Sequence, residues 1–483
     1  MFIEKGIRGE ISVITKRFSQ ANNKYVPNFD AWLVGWGLMA QEPFLAKLRQ
    51  TYGGNFDARK SIKRIIYLDC NNLYGASMVE SLTYGGYEWI SADVTLDWIQ
   101  SIPQDSSEGY IVEVDLKYPE ELHDLHNNYP LAPEKTDIKF EDLSEFSKAV
   151  LNGIKFTPST KLVPNLKDKK NYITYYKNLQ FYLKHGLKLE KVHKILKFQQ
   201  KPWLKKYIMF NTEQRKNSKS AFEKDFFKLM NNSVYGKTME NIRNRVDVQL
   251  VNDKKKAQKL VADPTFKRFK IFDNELVGVE CVKKCSTLDK PIYVGFVILE
   301  LSKLIMCNFH YNIIKKEYED KAELLFTDTD SLTYEVENED IYENMSHHMD
   351  IYDTSDYPRD HFLFSESNKK KIGCFKDELH SKPIIEFIGL RPKMYSIKSE
   401  RGEKTAKGVA RSVVVRNIRH EDYRRCREEL KSTREIQYQI QSENHKLKTV
   451  KVNKIALCSF DDKRYLLDNV HTLAHGHFKI LQR

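Results

Sequence analysis

The chain has 483 residues and carries 79 Lys and Arg against 66 Asp and Glu, a formal net charge of +13. With 20 Gly, 14 Pro and seven Cys in no framework spacing, it is neither a disordered chain nor a secreted disulfide scaffold, and its thiols imply a reducing, intracellular setting such as a nucleus or viral replication site. Basic charge with 26 Tyr and 26 Phe suits a polyanion whose bases stack, so nucleic acid is the expected partner and a membrane is not, since no apolar run approaches the ~18 residues of a spanning helix.

Residues 1–64 are punctuated by Gly6, Gly9, Gly35, Gly37, Gly53 and Gly54, contain an apolar stretch from Trp32 to Ala40, and are too short for an enzyme domain of ordinary size. They lack the charged, apolar, small-residue order of a signal peptide. Ile65-Ile66-Tyr67-Leu68-Asp69 reads as a buried strand ending on a carboxylate, with Cys70 to Gly75 as a turn or helix start. Taken alone, a strand-end Asp equally fits a helix N-cap. Tyr110 to Val114 is a further strand, Tyr172 to His185 reads as a helix stopped by Gly186, and Leu187 to Phe198 alternates like a strand.

Lys219 to Lys237 reads as a helix. Phe222, Phe226 and Met230 recur at i, i+4, i+8 as an apolar stripe, and Lys224, Lys228, Asn232 and Tyr235 fall on roughly the opposite face. Two ammonium groups, an amide and a phenol on one face can meet a triphosphate and its base, although Lys alone also fits an ordinary solvated face. Gly236 weakens a helix interior and permits close approach. The runs Lys254-Lys255-Lys256 and Lys369-Lys370-Lys371 read as solvated loops suited to holding phosphate backbone. Cys281 and Cys285 could form half a zinc site, but no second half is present. His471, His475 and His477 fit packing or surface roles better than a metal. Tyr293 to Leu299 reads as buried core.

Leu324-Leu325-Phe326-Thr327-Asp328-Thr329-Asp330-Ser331 then rises into a second alternating run ending at Val336, a hairpin with a carboxylate-bearing turn. Strand parity places Asp328 and Asp330 on one side, where two carboxylates repel unless a cation neutralises them. Mg²⁺ is the natural counter-charge, because it takes oxygen ligands and keeps waters or substrate phosphates. A bare Asp-x-Asp also fits an acidic solvated turn; the upstream Asp69 and the basic helix between argue against that. Ile384 to Ile388 is another strand, and Arg391, Lys393 and Tyr395 follow close together. Beyond residue 404 the chain is basic, with Lys404, Lys407, Arg411, Arg416, Arg419, Arg424, Arg425 and Arg427.

In this order the sites resemble family B DNA polymerases, most of all the protein-primed branch of viruses, linear plasmids and Polinton/Maverick transposons. Tyr67-Leu68-Asp69-Cys70-Asn71-Asn72-Leu73-Tyr74-Gly75 is similar to motif A of that family. Lys228-Leu229-Met230-Asn231-Asn232-Ser233-Val234-Tyr235-Gly236 matches motif B, K-x-x-x-N-S-x-Y-G, at each fixed position. Thr327 to Ser331 resembles motif C, and Lys393-Met394-Tyr395 the K-x-Y motif. The resemblance spans about residues 60 to 400 and continues more loosely to the end.

It implies an α+β right-hand fold: a palm with an antiparallel sheet, helical fingers and a thumb. The expected divisions are an N-terminal remnant or linker at 1–64, palm with motif A and an insertion at 65–205, fingers at 206–250, a second insertion at 251–285, palm with motif C and K-x-Y at 286–400, and thumb at 401–483. The resemblance further implies DNA-directed DNA synthesis in which Asp69 and Asp330, with Asp328 in support, hold two Mg²⁺ ions, Mn²⁺ being the alternative. Lys228, assisted by Lys216, would neutralise nucleotide phosphate, while Tyr74, Asn232 and Tyr235 would lie at the incoming nucleotide, Tyr74 as a barrier to a 2′-hydroxyl. Lys393, Tyr395 and Arg391 would position the primer. Partners would be primer-template DNA, dNTPs and a terminal-protein primer.

Two departures stand out. Motif A commonly reads D-x-x-S-L-Y-P, and here Asn72 and Gly75 replace Ser and Pro. Gly6-Ile7-Arg8-Gly9-Glu10 resembles the linker that follows the family's exonuclease domain, with Glu10 where Gly is common. The preceding residues leave no room for that exonuclease, so proofreading is expected to be absent. The competing readings are a decayed or domesticated remnant that binds nucleic acid without polymerising, and a reverse transcriptase, whose Y-x-D-D turn differs from Asp-Thr-Asp-Ser.

Overall fold

The computed structural model describes residues 2–23, 61–151, 155–283, 285–338, 340–400, 402–443 and 446–481. The apolar stretch from Trp32 to Ala40 and the glycines at 35, 37, 53 and 54 lie outside these residues.

Strands rich in Ile, Leu and Tyr build the centre. A six-stranded sheet runs in the order Ser12–Ile14, Ala322–Asp328, Ser331–Glu337, Lys63–Cys70, Phe375–Asp377, Tyr352–Asp353. Neighbours are antiparallel except the last pair. The strand at 63–70 reads as a continuous apolar run because both its faces are covered. Ile66 and Leu68 join one core with Phe296, Val297 and Leu301 of the helix Ile292–Asn308. Ile65 and Tyr67, alternate by strand parity, join a second core with Phe326, Phe387 and Tyr395. That second core lies against another antiparallel sheet, ordered Glu403–Ala406, Met394–Ser399, Ile384–Arg391, Phe18–Gln20.

The helical stretch Ile292–Lys321 is long and apolar enough to cross a membrane by length and composition, contrary to the expectation from apolar runs; 72% of its most apolar window is buried inside the protein, as a core helix requires. Two further modules hang on this centre. Residues 82–201 supply a four-stranded antiparallel sheet ordered Leu82–Ile90, Lys188–Lys201, Glu108–Lys117, Lys169–Tyr175. Tyr172 to Tyr175 belong to its edge strand, so the helix expected from Tyr172 starts at Tyr176. Residues 247–281 form a three-stranded sheet carrying the helix Lys254–Val261. The Lys run at 254–256, expected as a loop, is that helix's first turn, capped by the Asp253 carboxylate accepting from Lys256 N at 2.8 Å. The strand Asp247–Val251 crosses the division expected at 250/251.

Two helices, Lys205–Asn217 and Ala221–Thr238, form a hairpin between these modules. Ser220 and Glu223 make a reciprocal capping box at the second helix's start. The apolar stripe on this helix does not enter the core: Phe222 is 79% exposed and Phe226 44%. Asn231 instead ties the pair, its amide donating to Thr212 Oγ1 at 3.3 Å. Past residue 403 two helices and a long two-stranded ribbon, Thr433–Glu443 with Lys446–Leu457, follow. The expected thumb is not one body. Glu403–Ala406 is an edge strand of the second sheet, and residues after 458 return to the body of the protein, bridging His471 to Lys16 and His475 to Asn165 of the 82–201 module.

The imidazoles of His126, His185 and His310 all pack on the Tyr311 ring, with centroids 5.1, 5.0 and 4.7 Å away. His126 and His310 are fully buried and bond Tyr118 and Tyr334 hydroxyls at 2.8 and 2.9 Å. Burial holds His126 down at about 3 and His310 well below the usual imidazole value. The unfolded chain takes up these protons near pH ~6.5, so stability is full above that value and is lost as pH falls toward the folded values. Each fully buried imidazole is expected to cost about 2 kcal/mol between pH 6.5 and 5. Urea midpoints at pH 7 and pH 5 check this; equal midpoints contradict it.

Candidate active site

Ser331 pairs with Asp69, and Asp328 pairs with Ser331, so the two central strands deliver three aspartates to one end of the sheet. The turn between them is tight. Thr329 has φ +67° and Asp330 N donates to Asp328 O at 2.8 Å, a γ-turn pattern between the two carboxylates. Cys70 N donates to Asp330 O at 2.7 Å, fixing this turn beside Asp69.

Burial and the neighbouring Asp330 and Glu378 charges push Asp69 up to about 8. Burial, with Glu10 and Asp328 nearby, pushes Asp330 up to about 6. Carboxylates that resist ionisation in each other's presence are a site awaiting positive charge. Among the described residues no three His, Cys, Asp or Glu groups form a ready-made cage. That donor set still fits Mg²⁺, which binds through one or two carboxylates and fills its remaining positions with water and substrate phosphate.

The helical hairpin supplies cations. The Lys228 charge favours ionisation of both Asp69 and Asp330. Lys224 and Arg215 crowd Lys370, whose pKa is lowered by burial and by these two charges. The Lys216 charge is felt at Glu366, in the 365–371 loop that also carries Lys370. Asn232 is exposed on the same helix as Lys228. Gly236 has open space where a Cβ would point, so no packing among the described residues calls for this glycine.

Tyr74 and Tyr235 stack with centroids 4.2 Å apart and planes 14° from parallel, a wall joining the two motifs. The Tyr74 hydroxyl is buried without a hydrogen-bond partner among the described residues. Asn72 and Gly75, the departures from the family pattern, explain each other. Asn72 sits at φ +48°, which Asn tolerates, and its carbonyl oxygen accepts from Gly75 N at 3.2 Å to cap the helix Leu73–Met78. A Cβ at Gly75 would lie 2.3 Å from Asn72 Nδ2 and expel that cap. Gly75→Ala is therefore expected to cost about 1 kcal/mol, and nothing further in an Asn72→Gly background. Urea denaturation of both singles and the double checks this coupling; additive losses contradict it.

The Lys393 ammonium lies 3.1 Å from Asp328 Oδ1, held by a hairpin turn in which Lys393 has φ +61°. Tyr395 is 4% exposed, so it faces the interior rather than an open DNA path. Its ring stacks on Phe326 at 4.3 Å and its hydroxyl meets Tyr67 at 3.3 Å. Strand parity sends Lys393 and Tyr395 along one side, but the covering Phe326 claims the aromatic ring. Arg391 lines a cavity of about 540 Å³ together with Lys155, Lys161, Lys407, Lys463 and the carboxyl groups of Asp461 and Asp462.

Sequence reasoning passed over Lys376, Glu378, Arg215 and the location of Lys370. Lys376 pairs in register with Asp69, a contact made by a strand some 300 residues away that pattern alone does not reveal.

A family model for "DNA polymerase type B, organellar and viral" matches residues 23–347, which include Asp69, Lys228, Asp328 and Asp330. Among solved structures, the chain is similar to phi29 DNA polymerase complexed with primer-template DNA and incoming nucleotides, at TM-score 0.51 and 14% identity over 94% of this chain and 62% of that one. An orthorhombic crystal form of phi29 DNA polymerase gives the same TM-score, identity and coverage. The chain thus spans less than two thirds of that polymerase's length. No curated protein sequence matches it. The family match covers well over half of the chain and three of the four motifs, with the aspartates assembled at one sheet end: the chain belongs to the type B DNA polymerases of organelles and viruses.

Proposed function

We propose that the chain performs template-directed DNA synthesis, transferring nucleotides from dNTPs to a primer 3′ end. The observation that carries this reading is Asp69 and Asp330 juxtaposed at a sheet end, within the field of the Lys228 charge. Asp69 and Asp330 would hold the divalent ions, with Asp328, already paired to Lys393, in support. When bound, such ions supply Lewis-acid activation of the 3′-hydroxyl and charge neutralisation on the triphosphate.

The chain's own groups perform the rest. Lys228 donates to nucleotide phosphate, and the Lys224, Arg215 and Lys370 cluster lowers the cost of bringing a polyanion in. The Tyr74–Tyr235 wall stands against sugar and base, with Tyr74 as the barrier to a 2′-hydroxyl. Lys393 sets the aspartate turn, and the cavity around Arg391, where five cations outnumber two aspartates, suits duplex phosphate. The acceptor is an existing 3′ end or, as in protein-primed relatives, a protein hydroxyl. Seven free thiols suit a reducing compartment. Primer extension on a defined template, with binding of primer-template measured alongside, tests the reading; binding without extension would point to a non-polymerising remnant.

A further inference from the structure

Glu10 precedes the edge strand Ser12–Ile14 and reaches the aspartate hairpin from outside both motifs. Its Oε2 accepts from Thr329 Oγ1 at 2.6 Å, while Ile11 O accepts from Thr329 N at 2.8 Å. Residues 10 and 11 thereby grip side chain and backbone of the one residue between Asp328 and Asp330. Thr329 needs that grip. It is β-branched yet sits at φ +67°, a region such residues avoid unless their surroundings impose it. The Glu10 charge is also felt at Asp330 and at Tyr235, so the carboxylate stands at the mouth of the site.

We infer that Glu10 is a positioning residue for the aspartate hairpin: it clamps Thr329 so that Asp328 and Asp330 face the cleft, and it adds negative charge where cations enter. This rests on the proposed polymerase reading. An exposed contact of this kind adds little to global stability, so the effect falls on turnover and cation affinity.

Glu10→Ala is expected to lower kcat for single-nucleotide incorporation about tenfold, with KM for dNTP and primer-template affinity unchanged. Thr329→Val removes the hydroxyl and should match it, and the double variant should be no worse than either single. Glu10→Gln keeps an acceptor but loses the charge. It should retain most of kcat while weakening Mn²⁺ binding as much as Glu10→Ala, read by electron paramagnetic resonance without DNA or nucleotide. Wild-type kcat and Mn²⁺ affinity in Glu10→Ala, or additive losses in the double variant, would overturn the assignment. If the wild-type chain does not extend a primer, the polymerase reading fails by itself, while the Mn²⁺ titration still judges the Glu10 charge.

Discussion

Asp69→Asn is expected to reduce primer extension by about a thousandfold or more while primer-template binding persists. A neutral amide cannot replace the charge that two neighbouring carboxylates offer a divalent ion, and a thousandfold corresponds to about 4 kcal/mol of transition-state stabilisation. Mn²⁺ affinity should fall with activity. Loss of fold is separable from loss of chemistry by the sign of the stability change. Asp69 is pushed up to about 8, so its proton favours the folded chain and stability from this group declines as pH rises from the unfolded carboxylate value toward 8. Asparagine has no such proton to lose. In chelator at pH 8 the variant should therefore melt at or above the wild-type temperature. A variant that melts well below wild type would make its inactivity a folding defect.

Lys228→Ala is expected to raise KM for dNTP about ten- to a hundredfold, the range of a lost charge-assisted hydrogen bond worth roughly 1.5–3 kcal/mol. Its charge, carried on the helical hairpin, is felt at both Asp69 and Asp330. Lys216→Ala provides the contrast. The Lys216 charge is not among the leading influences on either aspartate, so its KM effect should stay within about threefold. Equal effects of the two substitutions in steady-state incorporation assays would mean that the hairpin closes differently around nucleotide.

The hairpin at 322–337 and the strand at 63–70 were legible because each is a β-prone apolar run leading to a carboxylate; parity did not apply to Asp330, which lies in the turn between the strands. The helix from Ala221 was legible from its period, while its Ser220–Glu223 box was an unused signal of the same start. The stripe on that helix was legible too, but not its surroundings: Phe222 and Phe226 stack on each other at 6.5 Å and remain exposed, since the facing helix Lys205–Asn217 meets Asn231 instead. Tyr172 to Tyr175 mixed Tyr, Thr and Ile ahead of a true helix, and only pairing with Ile111 to Val114 makes them a strand. The 254–256 lysines carried an overlooked signal, the Asp253 cap. Glu10 and Lys376 could not be assigned from pattern, because each reaches the aspartates through strand pairing across hundreds of residues.

Single-nucleotide incorporation tests the central claim most directly. The wild-type chain is offered a primer annealed to four templates that differ only at the next base, with Mg²⁺ and one dNTP at a time. The account predicts extension by the complementary dNTP on each template, none by the corresponding ribonucleotide, and none in Asp330→Asn, which still binds the duplex. Extension in Asp330→Asn at the wild-type rate, or duplex binding by the wild type with no incorporation on any template, would contradict it.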